Sequence, residues 1–115
     1  MLLVCHSPLG MESGQISDHQ ITASTYGPAF QPKHARLRGS NVWLQDIAVG
    51  ATNQWLQIDL EQQLLIRGVA TQGRPDVDHW VEEYFVDYSL DGQEWIRYSE
   101  PKAGSDNHEK KVKNE

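Results

Sequence analysis

Residues 54–60 read QWLQIDL, and this stretch decides the fold class that the sequence predicts. From Leu56 to Leu60 an apolar side chain stands at every second position, and the positions between hold Gln57 and Asp59. Because successive side chains of a strand point to opposite faces, this alternation is typical of a strand with one buried face. The stretch therefore predicts a half-buried β-strand.

The flanking sequence predicts further strands. Residues 64–71, LLIRGVAT, are almost continuously apolar, which favours a strand covered on both faces. Residues 84–89 alternate again, and Asp91-Gly92 supplies a turn before residues 95–98, so a β-hairpin is expected there. Turn-forming residues recur about every eight to twelve positions, a spacing typical of an all-β sandwich or barrel with few, short helices.

Aromatic residues fall in two settings. Four lie inside the strand patterns and are interpreted as packing in the core or the hairpin rather than as ligand contacts; they are Trp55, Tyr84, Tyr88 and Trp95. Three others lie in loops at residues 25–33 and 39–53, where binding residues concentrate on a rigid scaffold; they are Tyr26, Phe30 and Trp43. For these three, ligand contact and partial burial both stay open.

Charge and length limit the kinds of partner. The 115 residues suit one small domain, and 10 Lys plus Arg against 16 Asp plus Glu give a net charge of −6. This balance opposes a general affinity for nucleic acid or anionic lipid. No apolar run approaches the roughly 20 residues of a membrane span, and the opening MLLVC is too short for a secretory signal. As written, nothing in the sequence directs the chain out of the cytosol.

The sequence holds no signature of catalysis or of a cofactor. Neither GxGxxG nor GxxxxGK is present, the five histidines are scattered without an HExxH pair, and no nucleophile-elbow motif is found. We expect no enzymatic activity. Cys5 is the only cysteine, so no intrachain disulfide can form. It is either a small bystander residue or a half-cystine without its partner.

A dense group of acidic residues follows residue 75. Asp76 and Asp78, with Glu82 and Glu83 behind them, offer the hard oxygen ligands that Ca²⁺ prefers. The full EF-hand pattern is absent, so a solvated acidic loop is favoured over an ion site. Asp76 and Asp78 are the candidates if calcium binds.

Several phrases, taken in order and with their spacing, resemble the discoidin domain, also called the coagulation factor V and VIII type C domain. Besides QWLQIDL they are PLGMESGQISDHQITAS at residues 8–24, ARL at 35–37, GVATQGR at 68–74 and WVEEYFVDYSLDGQEW at 80–95. The likeness covers residues 5 to about 98. We therefore expect a partial domain at residues 5–100 and a polar, disordered tail at residues 101–115, which is too poor in apolar residues to order itself.

The resemblance implies a distorted jelly-roll β-sandwich, related to galactose-binding domains, in which an opening Cys bonds to a closing Cys. Cys5 stands at the opening position, the sequence holds no second Cys to close the domain, and we expect the last strands of the family pattern to be missing. Incomplete sheets leave unpaired backbone edges that invite association with another chain. Loss of such a disulfide typically costs ~2 to 5 kcal/mol. We expect a marginally stable monomer.

In the family, loops at one end of the barrel carry binding. By position these are residues 26–30, 39–53 and 74–79, and the residues expected to contact a ligand are Tyr26, Pro28, Phe30, Trp43, Arg74, Asp76, Asp78 and His79. The resemblance implies a non-catalytic extracellular recognition or cell-adhesion module for a carbohydrate or protein of the cell surface or matrix. Three alternatives remain: a phospholipid-binding domain of the coagulation-factor type, an accessory binding module of a larger enzyme, and a fragment that binds nothing. For phospholipid, the helpful basic residues are Lys33, Arg36, Arg38 and Arg74.

Overall fold

The computed structural model describes residues 7–50 and 52–99. They belong to two compact units, the first ending at Glu61 and the second beginning at Gln62. Cys5 and the predicted tail at residues 101–115 lie outside the described residues.

The first unit is built on one pair of short antiparallel strands. A 3-10 helix, Asp18–Gln20, leads into strand β1, Ile21–Ala23; a second 3-10 helix, Pro32–His34, follows; and strand β2 is Leu56–Ile58. Strand β1 pairs with β2 so that Ile21 lies opposite Ile58 and Ala23 opposite Leu56. Two further backbone hydrogen bonds extend the pairing beyond both strand ends, from Asp59 N–H to the Gln20 carbonyl (2.8 Å) and from Ser24 N–H to the Trp55 carbonyl (3.0 Å).

The core of the first unit lies beside this strand pair. Ile16 is 5% exposed and Ile21 is 4% exposed. Gln20 is also buried, and its amide is satisfied on both sides: Oε1 accepts from Ser17 N–H (2.8 Å), and Nε2 donates to the Asp59 carbonyl (2.7 Å). A buried amide with both partners is tolerated because its desolvation is compensated. Gln20 thus joins the first 3-10 helix to the end of β2.

The turn before the core depends on a glycine. Gly10 has φ +125°, and its carbonyl accepts hydrogen bonds from Gly14 N–H (3.1 Å) and Ile16 N–H (3.0 Å). A Cβ at this position would lie 2.7 Å from Gln15 Cβ and 2.9 Å from the Ile16 nitrogen. Only glycine fits such a conformation and such a close backbone approach.

The second unit contains the predicted hairpin. Strand β3, Asp87–Tyr88, pairs antiparallel with strand β4, Ile96–Arg97, so that Asp87 lies opposite Arg97. Beyond these strands, Tyr98 N–H donates to the Val86 carbonyl at 2.9 Å. The hairpin prediction is confirmed, although the strands are shorter than the alternation suggested.

The hairpin turn is closed by an aspartate and a glycine. The Asp91 carboxylate accepts hydrogen bonds from the backbone N–H groups of Gln93 (2.8 Å) and Glu94 (3.0 Å) and from the Ser89 hydroxyl (3.0 Å). The Glu94 and Gln93 donors in particular lower the pKa of Asp91 from its ordinary value. Gly92 has φ +76°, which explains why glycine follows the aspartate.

The fold class and the central strand are confirmed. The described residues contain antiparallel strand pairs and only two one-turn helices, as an all-β chain requires. The stretch at residues 56–60 forms β2 over Leu56–Ile58, and its side chains are half-buried. Gln57 is half-buried as well, so the two faces differ less than the alternation suggested.

The strand predicted at residues 64–71 is wrong. These residues form no strand, and within residues 7–50 and 52–99 they make no backbone hydrogen bonds. Leu65 is 78% exposed. A strand exists only where a neighbour supplies its hydrogen bonds, and an apolar run alone does not provide that neighbour.

The four aromatic residues in the strand patterns do not lie in a core, so that part of the prediction is wrong, while packing on the hairpin stays a prediction. All four are exposed; they are Trp55, Tyr84, Tyr88 and Trp95. In the described part of the chain each sheet has two strands, and a two-stranded hairpin offers no second layer to cover its rings.

Candidate functional site

The first and second predicted loops of the first unit lie side by side. Gly27 N–H donates to the Leu44 carbonyl (3.2 Å), and Leu44 N–H donates to the Phe30 carbonyl (3.2 Å). The Asn41 side-chain amide adds a bond to the Ala29 carbonyl at 2.9 Å. We call residues 25–30 and 41–49 the paired loops. Their backbone contacts turn two irregular segments into one surface.

Two of the three aromatic residues of these loops help to build this surface. The Trp43 indole Nε1 donates to the Thr25 carbonyl at 3.0 Å, and Trp43 is half-buried. Phe30 is half-buried too, and its ring reaches Gly27, where an added Cβ would lie 3.5 Å from Phe30 Cδ2. Both rings are partly buried, while ligand contact by either stays a prediction.

The tips of the paired loops are apolar and exposed. Tyr26 is 48% exposed, and Pro28 and Ala29 beside it are exposed. At the second tip Ile47 is 86% exposed and Val49 is 60% exposed. Sequence reasoning missed Ile47 and Val49 as site residues. Their signal was the phrase DIAVG at residues 46–50, in which two β-branched aliphatic residues occur in a turn rather than in a strand.

A hydrogen-bonded turn holds this second tip. The Asp46 carboxylate accepts from Ala48 N–H at 3.0 Å, and the Asp46 carbonyl accepts from Val49 N–H at 3.1 Å. An aspartate that binds the backbone two residues ahead is a common turn device. The turn projects Ile47 towards solvent.

The third predicted loop belongs to the second unit and is closed on itself. Arg74 N–H donates to the His79 carbonyl at 2.8 Å, and the Arg74 guanidinium donates to the Asp76 carboxylate at 2.7 Å. That guanidinium lowers the pKa of Asp76 from its ordinary value. Gly73 permits the closure, because a Cβ there would lie 3.0 Å from the His79 carbonyl oxygen. The structure therefore brings Arg74, Asp76 and His79 together in one loop.

The calcium candidates Asp76 and Asp78 gain no support. Across residues 7–50 and 52–99, no group of three or more His, Cys, Asp or Glu side chains is arranged to hold a metal ion. The Asp76 carboxylate faces an arginine instead.

Within residues 7–50 and 52–99, no helix has the length and apolar character of a membrane span.

The basic residues near the loops are largely occupied by ion pairs. Arg36 donates to the Asp18 carboxylate and to the Met11 carbonyl, both at 2.7 Å, and the guanidinium lowers the pKa of Asp18 from its ordinary value. Arg38 pairs with Glu12 at 2.6 Å. These pairs, like Arg74 with Asp76, reduce the positive charge offered to an anionic ligand.

Comparison with known proteins agrees with the resemblance in the sequence. The family model of the F5/8 type C domain matches residues 20–115. The chain is 41% identical over 99 residues to the venom prothrombin activator omicarin-C non-catalytic subunit of Oxyuranus microlepidotus. This match covers 82% of this chain and 7% of that protein. It is 42% identical over 116 residues to discoidin, CUB and LCCL domain-containing protein 2 of Rattus norvegicus (89% of this chain, 15% of that protein).

Mouse retinoschisin is a further relative, 38% identical over 105 residues, covering 83% of this chain and 46% of that protein. The chain thus spans between 7% and 46% of the length of these three relatives. The match of the family model covers most of the chain and includes both strands of each described pair. The chain therefore belongs to the F5/8 type C, or discoidin, domain family.

Proposed function

We propose that this chain is a non-catalytic extracellular recognition module, which binds a carbohydrate or protein ligand of a cell surface or matrix through its paired loops. One observation carries the proposal. The paired loops support three exposed apolar side chains, Tyr26, Ile47 and Val49, on a hydrogen-bonded framework.

Exposed apolar side chains on a rigid support are typical of binding surfaces. Tyrosine offers a broad ring and a polar hydroxyl at little cost in conformational entropy, which suits both sugar and protein contacts. The polar groups of the paired loops, such as Thr25 and Asn41, bind neighbouring loop atoms, which gives them a structural rather than a reactive role. One relative is named a non-catalytic subunit, and this name supports the absence of catalysis. The same name calls it a venom protein, and this supports an extracellular location.

A phospholipid surface is the second candidate. It is favoured by the exposure of Ile47 and Val49, because apolar tips can enter the boundary between headgroups and acyl chains. It is opposed by the ion pairs of Arg36, Arg38 and Arg74 and by the net charge of −6. Anionic lipid would have to compete with these carboxylates.

One experiment separates the two candidates. Binding of the chain is measured on a glycan array, on laminin-coated plates, and on vesicles of phosphatidylcholine with and without phosphatidylserine. Tyr26→Ala and Ile47→Ser are the test variants. Leu65→Ser is the matched control, because Leu65 is an exposed aliphatic residue outside the paired loops.

We expect the chain to bind glycan or laminin. The affinity should weaken at least ~10-fold in Tyr26→Ala and Ile47→Ser, because apolar anchors carry much of the energy of an interface. It should be unchanged in Leu65→Ser. Binding to phosphatidylserine vesicles that falls as salt rises would favour the second candidate. Equal losses in test and control variants, or no binding to any surface, would contradict the proposal.

A further inference from the structure

Thr25 occupies a special position in the paired loops. It follows β1 by two residues, and it bonds to two residues of the second loop and to Gln54, which lies just after that loop. The Thr25 carbonyl accepts from the Trp43 indole (3.0 Å), and the Thr25 hydroxyl accepts from Asp46 N–H (3.0 Å). The same hydroxyl donates to Gln54 Oε1 at 2.6 Å. One residue thus bonds to Trp43, Asp46 and Gln54.

The Gln54 amide is in turn fixed by the neighbour of Thr25. Gln54 Oε1 accepts a second hydrogen bond from the Ser24 hydroxyl at 2.8 Å. The Ser24 hydroxyl also accepts from Trp55 N–H at 2.9 Å, next to β2. Two hydroxyls therefore meet on one amide oxygen and tie the start of the first loop to the end of the second.

The connection continues from Thr25 to the exposed tip. Asp46, whose N–H is held by the Thr25 hydroxyl, closes the turn that carries Ile47 through its own bonds to Ala48 and Val49. A threonine is well suited to this role, because its branched Cβ restricts χ1 and so fixes the direction of its hydroxyl. The Thr25 hydroxyl therefore adds a direct bond to the Ile47 turn, beside the backbone bonds that already pair the two loops.

We infer that the Thr25 hydroxyl is the positioning group of the paired loops, and that it holds the Ile47 tip at a defined place beside Tyr26 so that both can meet one ligand. This inference rests on the proposed function for its consequence in binding, whereas the positioning itself is measurable without a ligand. Thr25 touches no ligand in this scheme. It acts through Asp46 and Gln54.

The test compares two substitutions that differ in the hydroxyl. Thr25→Val keeps the branched shape and removes the hydroxyl, and Thr25→Ser keeps the hydroxyl. Amide hydrogen exchange is measured by NMR on the chain without ligand, at Asp46, Ala48 and Val49. The Asp59 amide, which bonds to the Gln20 carbonyl, is the reference for the stability of the first unit.

In Thr25→Val we expect exchange at Asp46 and at the tip to accelerate up to about tenfold relative to Asp59, the factor that corresponds to the net loss of one hydrogen bond. In Thr25→Ser the rates stay close to those of the unchanged chain. Unchanged tip rates in Thr25→Val, an equal acceleration at Asp59, or an equal effect of Thr25→Ser would overturn the inference. If Thr25→Val does not fold, Gln54→Met removes the acceptor at similar length and is expected to accelerate the same amides.

The binding arm uses the glycan array, laminin-coated plates and phosphatidylserine-containing vesicles. On whichever of these the unchanged chain binds, Thr25→Val is expected to weaken binding by a similar factor, and Thr25→Ser is expected to retain it. Thr25→Val could make the tip amides exchange faster and leave binding unchanged. That result would overturn the inference that the position of the Ile47 tip controls ligand binding. If the unchanged chain binds none of these surfaces, the proposed function loses support, while the exchange rates still decide the positioning role.

Discussion

The two units of the molecule differ in how far apart in sequence their contacts lie. In the first unit, Gln20 bonds to Asp59 and Thr25 bonds to Gln54, pairs separated by 39 and 29 residues. In the second unit, Arg74 bonds to Asp76 and Asp87 to Arg97, pairs separated by 2 and 10 residues. Both buried hydrophobic residues of the described chain, Ile16 and Ile21, lie in the first unit. Burial thus accompanies long-range pairing.

A shortage of apolar side chains does not explain the difference. The second unit holds Leu65, Trp80, Phe85 and Leu90, and all of them are exposed. Phe85 is 73% exposed and carries the Arg97 guanidinium at 3.9 Å from its ring centroid. Apolar residues form a core only when distant segments meet to cover them. Pairing between distant segments, rather than composition, therefore decides where the core forms in the described residues.

The largest expected effect tests the core itself. Ile21→Ala is expected to lower the free energy of unfolding of the first unit by about 2 to 4 kcal/mol, because it removes a buried aliphatic side chain and leaves a cavity. Leu65→Ala is expected to change the free energy of unfolding of the second unit by less than about 0.5 kcal/mol, because the Leu65 side chain is exposed. Urea unfolding followed by NMR of assigned amides measures both. An equal loss of unfolding free energy in the two variants would contradict the conclusion that the core lies in the first unit.

The second prediction concerns two glycines with positive φ. Gly10→Ala, in the first unit, is expected to cost about 2 to 3 kcal/mol, since the new Cβ adds backbone clashes to the conformational strain. Gly92→Ala, in the hairpin turn, is expected to cost about 1 kcal/mol because a Cβ there meets nothing within 4 Å. The midpoints of thermal unfolding of the two variants provide the measurement. A cost at Gly92 as large as that at Gly10 would show that close packing is not what distinguishes the two turns.

The smallest expected effect is a dependence on acid. Hydrogen bonding from Arg36 lowers the folded-state pKa of Asp18, so the carboxylate stabilises the fold above its unfolded-state pKa, and this stability is lost as pH falls through the lower folded-state pKa. Unfolding is therefore expected to become easier below about pH 4. Asp18→Asn should reduce that dependence in the first unit.

The matched control is Asp76→Asn, because Asp76 also has a lowered pKa but pairs with a residue only two positions away. We expect it to leave the acid sensitivity of the first unit unchanged. Urea titrations at pH 7 and pH 3 measure both variants. An identical response to the two substitutions would contradict a special role for the Asp18–Arg36 pair in joining distant segments.

Sequence reasoning succeeded where the signal was local. Alternation over residues 56–60 predicted β2, and Asp91-Gly92 predicted the turn of the hairpin, because side-chain period and turn preference act over a few residues. The ordered phrases of the discoidin pattern predicted the family. Reasoning failed at residues 64–71 and at the exposed ring of Trp55, where the outcome depends on what lies opposite.

The candidate site was predicted in part. The resemblance placed binding residues in the first and second loops, and the structure pairs these loops around Thr25 and Trp43. The residues Ile47 and Val49 were not predicted: the phrase DIAVG places them in a turn, but their exposure depends on how that turn lies against the rest of the unit. The roles of Arg74, Asp76, Asp78 and His79 in binding remain predictions.

Local patterns in the sequence are enough to establish the all-β character, the family and the positions of the principal turns, since these follow from side-chain period, turn preference and the ordered phrases. Tertiary structure alone decided which apolar residues are buried, which loops are joined, and which hydroxyl holds them together. Burial and hydrogen bonding between distant residues depend on which segments meet in space, and local preferences do not specify those meetings.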